Sequence, residues 1–186
     1  MRCRIVGAPV QEGNSYPGCD MGPSSLRVAG IVSALRQLGH EVEDLGSVQL
    51  GTTRPLVHPN PAIKALPEIS AWTAAIAEAA YQASIDAMPI FLGGDHSMSA
   101  GSLTGVARRA AELKRPLFVL WLDAHPDFHT LDTTTSGNLH GVPLAGCRAL
   151  PATIPISPSR SIPGASARSA CAASIRPSAR RWARRA

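Results

Sequence analysis

Apolar and polar positions along the chain follow two periods. RCRIVGA (2–8) is a short apolar run closed by Pro9 and predicts a buried strand. SSLRVAGIVSALRQLG (24–39) sets Leu26, Ile31, Val32, Leu35 and Leu38 at helical spacing between a serine start and Gly39, which predicts one amphipathic helix. HEVEDLG (40–46) predicts a second strand, and the Pro- and Thr-rich stretch 47–61 a loop. Residues 62–87 are Ala-rich and helical in pattern, with Pro67 expected in the first turn. MPIFLGG (88–94) predicts a third strand and HSMSAGSLTGVARRAAELK (96–114) a second long helix. PLFVLWL (116–122) is continuous, apolar and bounded by Pro116 and Asp123, the strongest strand of the chain. Apolar strands alternating with helices predict an α/β fold, three-layer α/β/α, with a central, mostly parallel sheet buried on both faces.

The pattern stops near residue 147. Of residues 151–186, 28 of 36 are Ala, Ser, Arg or Pro, and no period survives. Two regions follow: 1–147, the α/β part, and 148–186, a tail expected to lack a packed core. Charge divides at nearly the same place. All 13 acidic residues lie at or before Asp132, against 10 Lys and Arg, a net of −3. The rest carries 8 arginines and no acid. One reading is a basic tail that binds nucleic acid or an anionic membrane surface. The preferred one is translation of GC-rich coding sequence in a shifted frame, which argues against nucleic acid as a partner.

At 186 residues and 45% hydrophobic content, the chain suits one soluble domain. No apolar run nears the ~20 residues of a membrane helix, and MRCRIVGAPV has no signal-peptide pattern. Cys3, Cys19, Cys147 and Cys171 show neither zinc spacing nor a close pair. Reduced thiols in a cytoplasmic protein are the expectation.

Two predicted strand ends carry the chemistry. In FLGGDHS (91–97), Gly93 and Gly94 permit a tight turn that sets His96 in the crevice where open α/β sheets bind ligands. In WLDAHPDFH (121–129), Asp123, His125 and Asp127 occupy alternate positions and converge if the chain stays extended, as Pro126 favours. A His beside an Asp at a strand end is commonly just a hydrogen-bonded pair. Two carboxylates and two imidazoles at neighbouring strand ends point instead to a divalent first-row metal, Mn²⁺ by the carboxylates, with Zn²⁺, Fe²⁺, Co²⁺ and Ni²⁺ left open. A carboxylate can also bridge two ions about 3.5–4 Å apart for two-metal hydrolysis. TTTSGN (133–138) is dense in hydroxyls with one amide, a composition that suits either a solvated loop or a carboxylate site.

GGDHS (93–97), DAHPD (123–127) and TTTSGNLHG (133–141) resemble the signature blocks of the ureohydrolases, the third block those of arginases in particular. IVGAPVQEG (5–13) and GCDMGP (18–23) are similar to arginases as well, so the resemblance spans residues 1 to about 146. It implies an arginase-like α/β fold, a binuclear centre of two Mn²⁺ per subunit, hydrolysis of L-arginine to L-ornithine and urea, and a homotrimer or homohexamer. It further implies that His96 and Asp127 ligate one manganese, that His125 ligates the other, and that Asp123 bridges them. A metal-activated water would attack the guanidinium carbon. His140 would shuttle a proton to the leaving amine. Thr134, Ser136 and Asn138 would hold the α-carboxylate, which sets arginase apart from agmatinase and guanidinobutyrase, the alternatives within the family. Many arginases carry Asn where His129 stands in the substrate site. The resemblance also implies a later Asp-x-Asp pair, which a chain without acids after Asp132 lacks, so the expected metal shells are incomplete.

Overall fold

The computed structural model describes residues 1–125, 127–143 and, for the backbone alone, 170–175. The parallel sheet is built from β1 (Arg2–Ala8), β2 (Glu41–Ser47) and β3 (Met88–Gly93) in the order β2-β1-β3. Its register explains its alternating faces. Arg2 pairs with Glu41 and Arg4 with Glu43, each as a cross-strand ion pair, and the intervening Cys3 lies opposite Val42. Cys3, Ile5, Val42 and Leu92 form one apolar cluster, covered by Ile31, Val32 and Leu35. The other face of β1 meets α3 (Leu66–Ala83): Ala8 and Val10 pack with Ile69, Trp72 and Ile76. On that face the Arg4 guanidinium donates to the carbonyl oxygens of Gln82 (3.3 Å), in the last turn of the helix, and Ile85 (2.7 Å), just past its end. Helices thus cover β1 on both sides, as expected for an α/β sheet, and Pro67 sits in the first turn of α3.

The helix expected over 24–39 is two helices, α1 (Gly22–Val28) and α2 (Ile31–Gln37). Gly30 lies between them at φ +91°, a left-handed backbone that ends one helix and starts the next. α2 lays Ile31, Val32 and Leu35 on the sheet and α1 adds the buried Pro23, against Gly7, while Val28 and Leu38 face solvent.

Arg27 in α1 secures this region. Its Nε and Nη2 form a fork with Asp44 Oδ2 and Oδ1, both at 2.8 Å, and Nη1 and Nη2 reach Ser47 Oγ and Gly46 O. The pairing holds the Asp44 carboxyl below its ordinary range, chiefly through the Arg27 hydrogen bond. A depressed folded-state value means that this stabilisation is present above pH 3.8 and is lost as the pH falls through the lowered value. Arg27→Met is expected to destabilise the chain by about 2 kcal/mol at neutral pH. Urea denaturation should find the gap between the two proteins closing in acid.

Behind the sheet, α3 packs on α4 (Met98–Glu112), where Gly101 and Gly105 let the helices approach: a Cβ at Gly101 would lie 2.7 Å from Ile76 Cβ, and one at Gly105 2.6 Å from Ala80 Cβ. Arg108 of α4 stacks over Tyr81 and pairs with Glu78. Among the described residues no helix is long and apolar enough to cross a membrane.

The strongest strand of the sequence departs most from expectation. β4 (Leu117–Leu122) is not hydrogen-bonded into the parallel sheet; it pairs antiparallel with β5 (Ala170–Ile175), the one described element of the 148–186 tail. It is also buried on one face only. Leu117 and Val119 pack against Ala100, Leu103 and Ala107 of α4, whereas Phe118, Leu120 and Leu122 are 66%, 55% and 77% exposed. Apolar content marks a segment as strand but leaves its neighbour and covering layer to tertiary contacts. Cys3 is free and buried and Cys19 is free; Cys147 and the Cys171 side chain lie outside the described residues, as does the remainder of the tail.

Candidate metal centre

One close backbone fit and one ring stack bring the site together. The turn after β3 docks on the exit of β1: Gly94 N–H donates to Ala8 O (2.9 Å) and Asp95 N–H to Val10 O (2.6 Å). A Cβ at Gly94 would collide with the Val10 carbonyl, so this approach requires glycine. His96 follows, two residues ahead of α4, and its imidazole stacks on Trp121 of β4, with ring centroids 4.7 Å apart and planes 15° from parallel. Trp121 thereby registers the end of β4 against the end of β3.

Around His96 the structure gathers Asp123 and Asp127. His96 Nδ1 lies 3.2 Å from Asp123 Oδ2 and 3.0 Å from Asp127 Oδ2. One potential ligand atom from each residue lies within 4.8 Å of the others. Asp127 is buried and also accepts a hydrogen bond from Trp121 Nε1 at 3.3 Å. Asp123 is held below the usual carboxylate range, chiefly by the backbone N–H of His125 and further by the nearby imidazoles.

His125 does not join this group. The Asp123 carboxylate accepts the His125 N–H at 2.9 Å, a side-chain turn two residues long. That turn bends the chain, and Asp127 follows at φ +48°. The alternation of an extended segment is lost, and the His125 side chain is 81% exposed, 3.6 Å from Asp123 on its outer side. Pro126 lies outside the described residues.

The residues present fit a divalent cation. Nδ1 of His96 has one hydrogen to offer two carboxylates, and neither carboxylate is paired with a Lys or Arg among the described residues. A cation among three such donors would satisfy all of them.

The other candidate residues lie on the segment 129–141, which returns to the N-terminal loop. His140 N–H and Nδ1 both approach Gly13 O, at 3.1 and 2.9 Å. Asn138 Oδ1 accepts from Ser15 Oγ (2.8 Å) and Lys64 Nζ (3.1 Å), which leaves its amide hydrogens free of that contact. Ser136 is exposed, with its Oγ accepting the Asn138 N–H. Thr134 is buried; its hydroxyl accepts the Gly137 N–H, so its oxygen faces inward. Gly137, at φ +70°, lies against the backbone of Ala62 and Ile63. His129 is exposed, and its ring faces Gly141. Sequence reasoning missed Trp121, Asp95 and Lys64. Trp121 was open to it, since it stands two residues before Asp123 on the same strand face. Lys64 came from a distant loop and left no local signal.

The sequence model described as "Arginase family" matches residues 1–177. The arginase of Brucella melitensis is 63% identical over 145 residues, covering 78% of this chain and 47% of that protein. The solved Bacillus caldovelox arginase superposes with a TM-score of 0.64 at 35% identity, over 77% of this chain and 47% of that one. An Entamoeba histolytica arginase, solved in complex with L-ornithine, gives a TM-score of 0.65 at 27% identity, over 77% and 48%. The chain spans about half the length of the curated relatives it matches.

Proposed function

Because the chain belongs to the arginase family, we propose that it forms the part of a manganese-dependent arginase that carries His96, Asp123 and Asp127, and that the complete protein hydrolyses L-arginine to L-ornithine and urea. The convergence of these three donor sets within 4.8 Å is the observation that carries the reading. His96, Asp123 and Asp127 would hold one Mn²⁺, and the exposed ring of His125 would have to turn inward to serve a second. Bound there, the metal would lower the pKa of a water and so provide a nucleophile at neutral pH.

The chain's own groups would handle the substrate. Asn138, with its oxygen occupied by Ser15 and Lys64, would turn its amide hydrogens to the α-carboxylate, and the Lys64 ammonium would add a favourable charge. Ser136 would contribute its exposed hydroxyl. Thr134, whose oxygen is engaged with Gly137, would support the loop and donate its remaining hydrogen. His129 would stand at the rim, and His140 would carry the proton to the leaving amine. A carboxylate site of this kind favours L-arginine over agmatine. A reducing, cytoplasmic setting and a homo-oligomeric assembly complete the proposal.

Manganese titration of the purified chain tests the first part. One Mn²⁺ per chain is expected; no binding, or two equally tight ions, contradicts it. Urea release by the complete protein tests the second, with turnover of L-arginine expected to exceed that of agmatine, and the reverse order removing the carboxylate assignment.

A further inference from the structure

Asp95 is buried beside His96 but belongs to a different set of contacts. Its Oδ2 accepts the Gly13 N–H at 2.8 Å and its Oδ1 the Ser97 N–H at 2.8 Å. No Lys, Arg or His pairs with it among the described residues. Gly13 therefore has its N–H on a carboxylate, while its carbonyl oxygen, in the next peptide group, receives both the N–H and the Nδ1 of His140. Gly13 has no room for a side chain: a Cβ there would strike Ser97 Oγ. A peptide oxygen has no hydrogen to give. At 2.9 Å from Gly13 O, Nδ1 of His140 must be the protonated nitrogen of the neutral ring. Nε2, which makes no hydrogen bond among the described residues, is left with the free lone pair.

We propose that Asp95 is a positioning residue that acts by holding Gly13 in place to keep His140 as the Nδ1–H tautomer, with Nε2 as the nitrogen that takes up and releases protons. The carboxylate fixes Gly13 by its N–H and so sets the direction of the Gly13 carbonyl, one Cα further along the chain. It also fixes the loop that presents this carbonyl, because Asp95 N–H is itself bonded to Val10 three residues earlier. The arrangement couples the turn that carries His96 to the orientation of His140 through a single residue, Gly13. A proton carrier held in one tautomer needs no ring flip before it acts. The value of this for catalysis rests on the proposed arginase reading; the tautomer itself does not.

The test is ¹⁵N NMR of the histidine side chains in the metal-free chain, in mildly alkaline buffer, with His140 assigned by comparison with His140→Asn. Wild type is expected to show Nδ1 protonated and Nε2 bare, and the Gly13 amide proton strongly downfield, as for an N–H on a carboxylate. Asp95→Asn keeps the side-chain shape but has one acceptor oxygen for two N–H groups, and is expected to shift His140 towards the Nε2–H form that free imidazole prefers in water. A protonated Nε2 in wild type overturns the proposal, as does an unshifted tautomer in folded Asp95→Asn. Should Asp95→Asn not fold, the wild-type Gly13 amide decides the Asp95 link, and an ordinary amide shift there rejects it. A protein that shows the expected tautomer but never hydrolyses arginine would refute the arginase reading alone.

Discussion

Replacing Asp127 by asparagine is expected to lower Mn²⁺ affinity by more than about 100-fold with little change in stability. Loss of a residue that only supports a ligand typically weakens metal binding by about 10–100-fold, and loss of a ligand should exceed that. Asparagine suits the site in every other respect. It tolerates the left-handed backbone at φ +48° as well as aspartate does, and its amide oxygen can still accept from Trp121 Nε1. What it removes is one of the two charges that face His96. Metal-free Asp127→Asn should therefore melt within a few degrees of wild type, since two carboxylates crowd one imidazole when no cation is present. Asp132→Asn is the control, because that carboxylate is exposed and, among the described residues, pairs only with His58. Calorimetric titration with Mn²⁺ would measure the difference, and wild-type affinity in Asp127→Asn would remove this residue from the centre.

Gly94→Ala is expected to be the most damaging single-methyl change on the β3 side of the site. Its added Cβ meets the backbone carbonyl of Val10, with Val10 N at 2.7 Å, and a backbone cannot rotate away as a side chain can. Overpacking typically costs about 1–3 kcal/mol. Separation of the two backbones would also break the Asp95–Val10 hydrogen bond and loosen the Gly13 loop, which places the loss near about 3 kcal/mol. For a domain of this size that is a fall in Tm of roughly 6–12 °C. Gly51→Ala offers the contrast, since the nearest atom to its Cβ is Ala71 O at 3.7 Å, and it should stay within about 0.5 kcal/mol of wild type. Thermal melts of the two variants would measure this, and equal melting temperatures would show that the turn does not need the close approach.

Local pattern settled a good deal. The runs 2–8 and 88–94 are strands, 62–87 and 96–114 contain helices, and Pro67 opens α3, all close to where periodicity and end signals put them. These features depend on side-chain spacing over a turn or two, which the sequence carries directly. Residue types at the strand ends likewise single out His96, Asp123, His125 and Asp127 as candidate metal ligands, and the fold gathers three of them. Three matters lay beyond that reach. The pairing of β4 with β5, and the exposure of Phe118, Leu120 and Leu122, depend on which strand and which layer come near, and no residue in PLFVLWL encodes them. His125 leaves the cluster because Asp123 bonds to its own chain two residues on, a competition between extended backbone and a local turn that spacing alone does not decide. The link from Asp95 through Gly13 to His140 joins residues 82 and 127 positions apart. Only the folded chain brings them within hydrogen-bond distance, because directional contacts of about 3 Å are set by tertiary approach and not by composition.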